Sequence, residues 1–198
     1  MQKRILKTLK DSAIEWIEFF VSGWPETYVG KKIRRFYWKK KYNLATHPYI
    51  GRITKLSGDK ENIFIGKNFI CGESVEINAC LSHGIYIGNN VSIARGTYIR
   101  SSNHRFDRLD VPIAQQGHVA AEMLYQDKNY SVIIEDDVWI GANAIILSAA
   151  KIGKGAVIAA GSVVSAEIPP YSIVVGNPGR VARTRVNKNT QGSEHEKI

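Results

Sequence analysis

Between Ile134 and Val164 a branched aliphatic recurs at every sixth position: Ile134, Ile140, Ile146, Ile152, Ile158 and Val164. Shorter series carry the same beat upstream. Ile65, Cys71 and Ile77 form one; after a slip in register, Leu81, Ile87, Ile93 and Ile99 form another. A helix repeats near 3.6 and a half-buried strand at 2, so a period of six belongs to neither. A strand of four or five residues plus a tight corner uses six positions. Three such units close a triangular coil of about 18 residues, each side sending one aliphatic into a shared interior. Gly141, Gly153 and Ala159 directly follow inward aliphatics, where crowded corners need small residues. Stacked coils pair their strands in parallel at about 4.8 Å. The pattern predicts a β-solenoid and leaves its hand open.

Other stretches depart from the beat. Ile5, Leu9, Ala13, Trp16, Ile17 and Phe20 fall at spacings of three and four, which predicts an amphipathic helix. "SGWPE" (Ser22–Glu26) ends it, and a second helix is expected through Lys31–Lys41. Ser101–Ser131 is polar and breaks the period; a connection of this length in a compact fold is usually functional. The chain therefore divides into a basic helical region (1–50), first coils (51–102), a protruding loop (103–131), C-terminal coils (132–167) and a tail (168–198). The polar end after Asn187 reads as disordered.

Charge changes the picture at the ends. Residues 1–50 hold 11 Lys/Arg against 4 Asp/Glu, residues 180–198 hold 5 against 2, and the middle is nearly neutral. The densest piece is "GKKIRRFYWKKKY" (Gly30–Tyr42). Basic residues interleaved with aromatics suit an anionic membrane surface, nucleic acid or an acidic glycan; a plain solvated face is the alternative. No run reaches the roughly 20 apolar residues of a membrane span, and the charged start does not read as a cleaved signal peptide. Cys71 and Cys80 lack metal-ligand spacing and are too few for a disulfide scaffold. A cytoplasmic setting is expected, with peripheral membrane contact through the basic N-terminus as a further expectation.

"VIIEDDVWIGANAIILSAAKIGKGAVIAAGSVV" followed by "IPPYSIVVGNPGRVAR" resembles the hexapeptide-repeat acyltransferase superfamily. The resemblance covers roughly residues 60–185. Within the superfamily it is similar to sugar and polysaccharide O-acetyltransferases. It implies an all-β left-handed parallel β-helix, here with an N-terminal helical section and a protruding loop, and an exception to the usual right-handed crossover. It also implies a homotrimer with active sites between subunits, acetyl-CoA as co-substrate, a sugar or glycan acceptor, no metal and no nucleic-acid partner.

The resemblance places His104, in "SSNHRFD", as the general base. A sugar hydroxyl is a weak nucleophile, and a neutral imidazole within hydrogen-bond reach takes its proton as it attacks the thioester. The tetrahedral intermediate needs a preorganised donor, which the likeness assigns to the backbone amide of Ala142 after "WIG". Trp139, Gly141, Ala142, Ala160 and Gly161 are the expected contacts for the cofactor arm, with Arg180 and Arg183 for its phosphates. The family often has a Thr-Lys pair where this chain has Ser165-Ala166, so a lysine contact is missing. Asn78, His83, Asp107 and His118 are the acceptor-side candidates. For His118 an incidental loop position is the stronger reading, and Asp107 and Asp110 are otherwise ordinary loop residues. Cys71 occupies an aliphatic slot and is expected in the core.

Other readings remain open. An amino sugar acceptor, or an antibiotic as in streptogramin acetyltransferases, would change the product to an N-acetyl or drug ester. A metal enzyme of the γ-carbonic-anhydrase kind would need three histidines at one zinc; His83, His104 and His118 lack the close pair. A non-catalytic binding role for the basic ends is the third class.

Overall fold

The computed structural model describes residues 2–42, 44–45 and 48–185, with side chains from Ser12 onward. The expectation for the segment after Asn187 lies outside the described residues, as do the Ile5 and Leu9 side chains. From Tyr49 to Val175 the chain winds as a parallel β-helix with three flat faces. On the first face Ile50, Cys71, Ile93, Ile140, Ile158 and Val174 stand in register, one per rung. Leu56, Ile77, Ile99, Ile146 and Val164 do the same on the second. The third stacks Ile65, Ile87, Ile134, Ile152 and Ile168. Every one of these side chains is buried. The period of six is therefore the length of one face plus one corner.

Leu81 is the exception. It was expected to point inward; it is 66% exposed and has φ +56°. Ten residues separate Ile77 from Ile87, so four extra residues must leave the coil between the second and third faces. Ser82 Oγ donates to the Ala79 carbonyl and accepts from the Gly84 amide, closing the enlarged corner and leaving Leu81 outside. The coil also outruns its expected limits. It opens at Tyr49–Ile50, and Glu167–Ile168 and Ser172–Val175 add rungs beyond residue 167. Arg180–Thr184 then returns antiparallel along Ser172–Val175.

Helices α1 (Gln2–Gly23) and α2 (Tyr28–Tyr42) precede the coil. The α2 stripe Gly30, Arg34, Trp38 and Tyr42, at helical spacing of four, is buried. It covers the apolar first rung, because Trp38, Tyr42 and Leu44 join the cluster of Ile50 and Leu56; an uncapped solenoid end would leave that rung wet. Arg34 is fully buried and donates to the carbonyls of Ile50 (3.1 Å) and Trp24 (2.6 Å) while pairing with Glu26. Its charge is thus structural. Tyr42 donates to the Leu56 carbonyl at 2.8 Å. Burial, followed by the nearby Glu18 carboxylate, raises the Tyr42 phenol above its ordinary range.

Helix α1 meets α2 through Glu18, which accepts from the Tyr37 hydroxyl at 3.0 Å and pairs with Lys41. The Ser22 carbonyl accepts from the Ile53 amide at 2.9 Å. This turns the Ile14–Glu18–Ser22 side inward. The apolar stripe through Ala13, Trp16, Ile17 and Phe20, which defines the helix in the sequence, stays exposed.

Two consequences are measurable. Ile140→Ala leaves a hole in a column sealed above and below, and should lower stability by about 2–5 kcal/mol, read from a denaturant melt. Cys71 is fully buried, and burial pushes its thiol up to about 12. Native protein at pH 8 should therefore leave Cys71 unlabelled by a thiol reagent, while Cys80, which is partly exposed, reacts; denaturation should release the second thiol. Rapid native labelling of Cys71, mapped by mass spectrometry, would contradict this packing.

Candidate active site

The corner between the second and third faces collects the insertions. The 3-10 turn Lys60–Asn62, the enlarged turn around Leu81 and the long loop after Arg100 all leave the coil there. At the root of the loop Ser101 donates to the Asn78 carbonyl and Ser102 Oγ donates to the Cys80 carbonyl. The Ser131 hydroxyl accepts from the His83 amide. Asn78, His83 and the loop root are thus one neighbourhood. The Asn78 side-chain oxygen accepts from the Cys80 amide at 3.1 Å, which secures its own turn.

The loop is ordered by its own pairing. Asn103–His104 runs antiparallel to His118–Val119, placing His104 directly opposite His118. Their rings lie 4.6 Å apart, and both are exposed. His118 is thus the cross-strand neighbour of His104. At the tip Arg108 pairs with Asp110 at 2.6 Å and lowers that carboxyl below its usual range. Gln116 closes the turn by donating to the carbonyls of Arg108 and Val111. Asp107 lies 3.8 Å from Arg105, and neither loop aspartate pairs with His104 among the described ion pairs. His83 Nε2 faces Glu122 at 3.9 Å.

The second half of the loop is a hairpin absent from the sequence expectation. Met123–Tyr125 pairs with Lys128–Tyr130 across Gln126 and Asp127. Both turn residues have positive φ, the primed geometry that matches strand twist. Tyr125 and Tyr130 pack on Tyr86, which itself stacks on Phe64 at 4.8 Å. The hairpin is clamped to the third face, and Ala121 donates to Ser148 Oγ at 2.8 Å. The His104–His118 ribbon is held at both ends.

The donor-side candidates form a column at a different corner, between the first and second faces. Gly141 donates to the Ile158 carbonyl, and Gly161 donates to the Ala142 carbonyl at 2.9 Å, so the two corners stack directly. A Cβ on Gly141 would lie 2.5 Å from the Ala160 nitrogen; only glycine permits this approach. Gly161 has φ +70° and open space where a Cβ would stand. The amides of Ala142 and Ala160 donate to no described group. This column offers two undonated N–H groups beside small residues, with open space at Gly161.

Trp139 is 55% exposed on the first face. It lines a shallow cleft of about 510 Å³ with Asn90, Ser92, Asp137, Val157 and Arg185. Arg185 donates to the Gly155 carbonyl at 2.7 Å and pairs with Asp137 at 3.3 Å. It escaped the sequence reading, and its sole signal there was the arginine spacing of "RVARTR". Arg180 and Arg183 lie exposed on the returning strand, opposite Val175 and Ile173. Among the described residues no cluster of three or more His, Cys, Asp or Glu side chains has metal-binding geometry.

Residues 131–166 match the family of the bacterial transferase hexapeptide (six repeats). The chain is thus similar to the hexapeptide-repeat transferases. A probable acetyltransferase of Mycobacterium tuberculosis is 32% identical over 137 residues, 69% of this chain and 42% of that protein. A 2,3,4,5-tetrahydropyridine-2,6-dicarboxylate N-acetyltransferase of Clostridium perfringens is 45% identical over 78 residues, 39% of this chain and 33% of that protein. The hexapeptide-repeat chain thus spans less than half the length of these curated relatives. The structure of a galactoside acetyltransferase in complex with coenzyme A superposes with a TM-score of 0.58 at 21% identity, covering 93% of this chain and 85% of that one. The shared fold is the left-handed parallel β-helix.

Gly141→Ala tests the corner packing. The added methyl meets backbone that cannot swing aside, so the variant should lose about 1–3 kcal/mol. An unchanged melting temperature would mean that the two corners are further apart than described.

Proposed function

We propose that this chain is an acetyl-CoA-dependent acetyltransferase acting on a hydroxyl of a sugar, or of a polysaccharide or lipid-linked glycan precursor. The observation that carries the reading is the His104–His118 ribbon, a paired backbone that presents two neighbouring exposed imidazoles. His104 takes the acceptor's hydroxyl proton as the oxygen attacks the acetyl carbonyl. The Ala142 amide stabilises the oxyanion. Collapse expels the CoA thiolate, which takes the proton back from the imidazolium. Gly141, Ala142, Ala160 and Gly161 lie along the acyl-CoA arm, where open space and undonated amides fit an extended amide-rich chain. The galactoside acetyltransferase complex supports both the coenzyme and a sugar acceptor.

Within one chain the ribbon and the amide column occupy corners at opposite edges of the second face. A homotrimer that sets the ribbon of one subunit against the column of the next completes the site. The likeness to an N-acetyltransferase supports an amine acceptor as a second reading.

The test is CoA-thiol release from acetyl-CoA across a panel of glycans, nucleotide sugars, amino sugars and antibiotics. A hydroxyl acceptor should turn over, and His104→Ala should reduce kcat on it by about 10²–10⁴-fold. Retention of most activity by that variant would remove His104 from the base role. Turnover of amines alone would select the second reading. Ala160→Trp, which fills the column, should also be inactive. Mixed trimers of the two variants should recover about a quarter of wild-type sites, and no recovery would place both halves in one subunit.

A further inference from the structure

We propose that the outer face of α1 and α2 is a docking surface for an anionic lipid bilayer. Trp16, Phe19 and Phe20 are 63%, 68% and 59% exposed, and they pack on one another with ring centroids 5.6–6.0 Å apart. Ile17 and Trp24 are exposed as well. A cluster of large rings in mutual contact, on a helix whose inward side is held by Glu18, is an unusual surface for water to cover. Phe19 also borders a cleft of about 780 Å³ between the helices and the first rung. There the Trp38 indole nitrogen has no partner among the described residues. The apolar surface continues inward from the helix.

The neighbouring helix supplies the charge. Its sequence YVGKKIRRFYWKKKY has seven basic residues and no acidic one. Arg34 is consumed by Glu26 and Lys41 by Glu18. Lys32, Lys39 and Lys40 remain exposed beside Phe36 and Tyr28. Lys32 Nζ lies 4.4 Å from the Tyr28 ring centre, and Lys32, Arg35, Phe36 and Lys39 line one shallow groove.

The combination selects the occupant. A second copy meeting this face about a twofold axis would set the same basic helix against itself. Nucleic acid would satisfy the lysines and leave the Trp16–Phe19–Phe20 cluster wet. An anionic bilayer satisfies both: aromatic rings sit at the headgroup boundary, and lysines meet the surface potential. No described helix is long and apolar enough to cross a membrane, so the contact is peripheral.

The experiment is co-sedimentation of the full chain with vesicles of equal parts phosphatidylcholine and phosphatidylglycerol, and with phosphatidylcholine alone. The protein should pellet with the anionic vesicles and largely remain in solution with the neutral ones. Lys32→Gln/Lys39→Gln/Lys40→Gln should weaken partition on the order of a hundredfold. Trp16→Ser/Phe19→Ser/Phe20→Ser should weaken it by at least about tenfold. Both sets of positions are solvent-facing, and an unchanged circular dichroism spectrum and melting curve establish that the variants fold. The proposal is overturned if the wild type stays in the supernatant with anionic vesicles, or if the serine variant pellets like the wild type. It is also overturned if the serine variant has a smaller mass by light scattering, which would make the face a contact between copies. Lysine-dependent binding to duplex DNA without vesicle binding would reassign it to nucleic acid.

Discussion

Each face of the coil sends one column of aliphatic side chains into a narrow interior closed by buried corner residues such as Val138, Ala144 and Ala156. The rest of the molecule adapts to that limit. Each inward residue is sealed by the one above and the one below, so a rung cannot lengthen without displacing the whole column. Corners must let backbones approach closely, which explains a glycine at position 141 and an alanine at 159 immediately after inward isoleucines. Parallel ladders then satisfy the backbone between rungs, as in Gly141 to Ile158 and Ala159 to Val174. Stability is distributed along a line, with each rung depending mainly on its neighbours.

Variation is consequently forced outward. Extra residues leave the coil at one corner, where the turn at Leu81 and the loop from Ser101 to Ser131 emerge one above the other. That concentration gives the chemistry a rigid base: the loop root is tied by Ser101, Ser102 and Ser131, and the hairpin is clamped by the Tyr86 cluster. The histidine ribbon projects from this support. The opposite edge of the second face keeps the close-packed corner of Gly141, Ala142, Ala160 and Gly161. The histidine-bearing loop and the corner with undonated amides are separated within the chain by the flat face between them.

The same one-dimensional logic governs the N-terminus. A solenoid must cover its first rung, and α2 does so with Trp38, Tyr42 and the buried Arg34. Part of the basic stretch that reads as a surface patch is therefore internal bracing. Helix α1 is attached through a carboxylate rather than through its apolar stripe. Glu18 is drawn inward by Tyr37 and Lys41, and the rings of Trp16, Phe19 and Phe20 are left on the outside.

By itself the sequence determined the coil, because the beat of six is a local requirement imposed on each rung separately. It also carried the two helices, the position of the loop, and Cys71 as a core residue. The resemblance in "DVWIGA" pointed to the close-packed corner. Only the tertiary structure decided which members of the beat face inward, since Leu81 fits the spacing and fails the register. Only the structure set His118 against His104, because antiparallel pairing across a long loop leaves no periodic trace. Likewise it brought Arg185 to the Trp139 cleft, and it turned the Glu18 side of α1 inward. In each case a residue's environment is set by a partner distant in sequence, and periodicity reports a residue's own rung without reporting that partner.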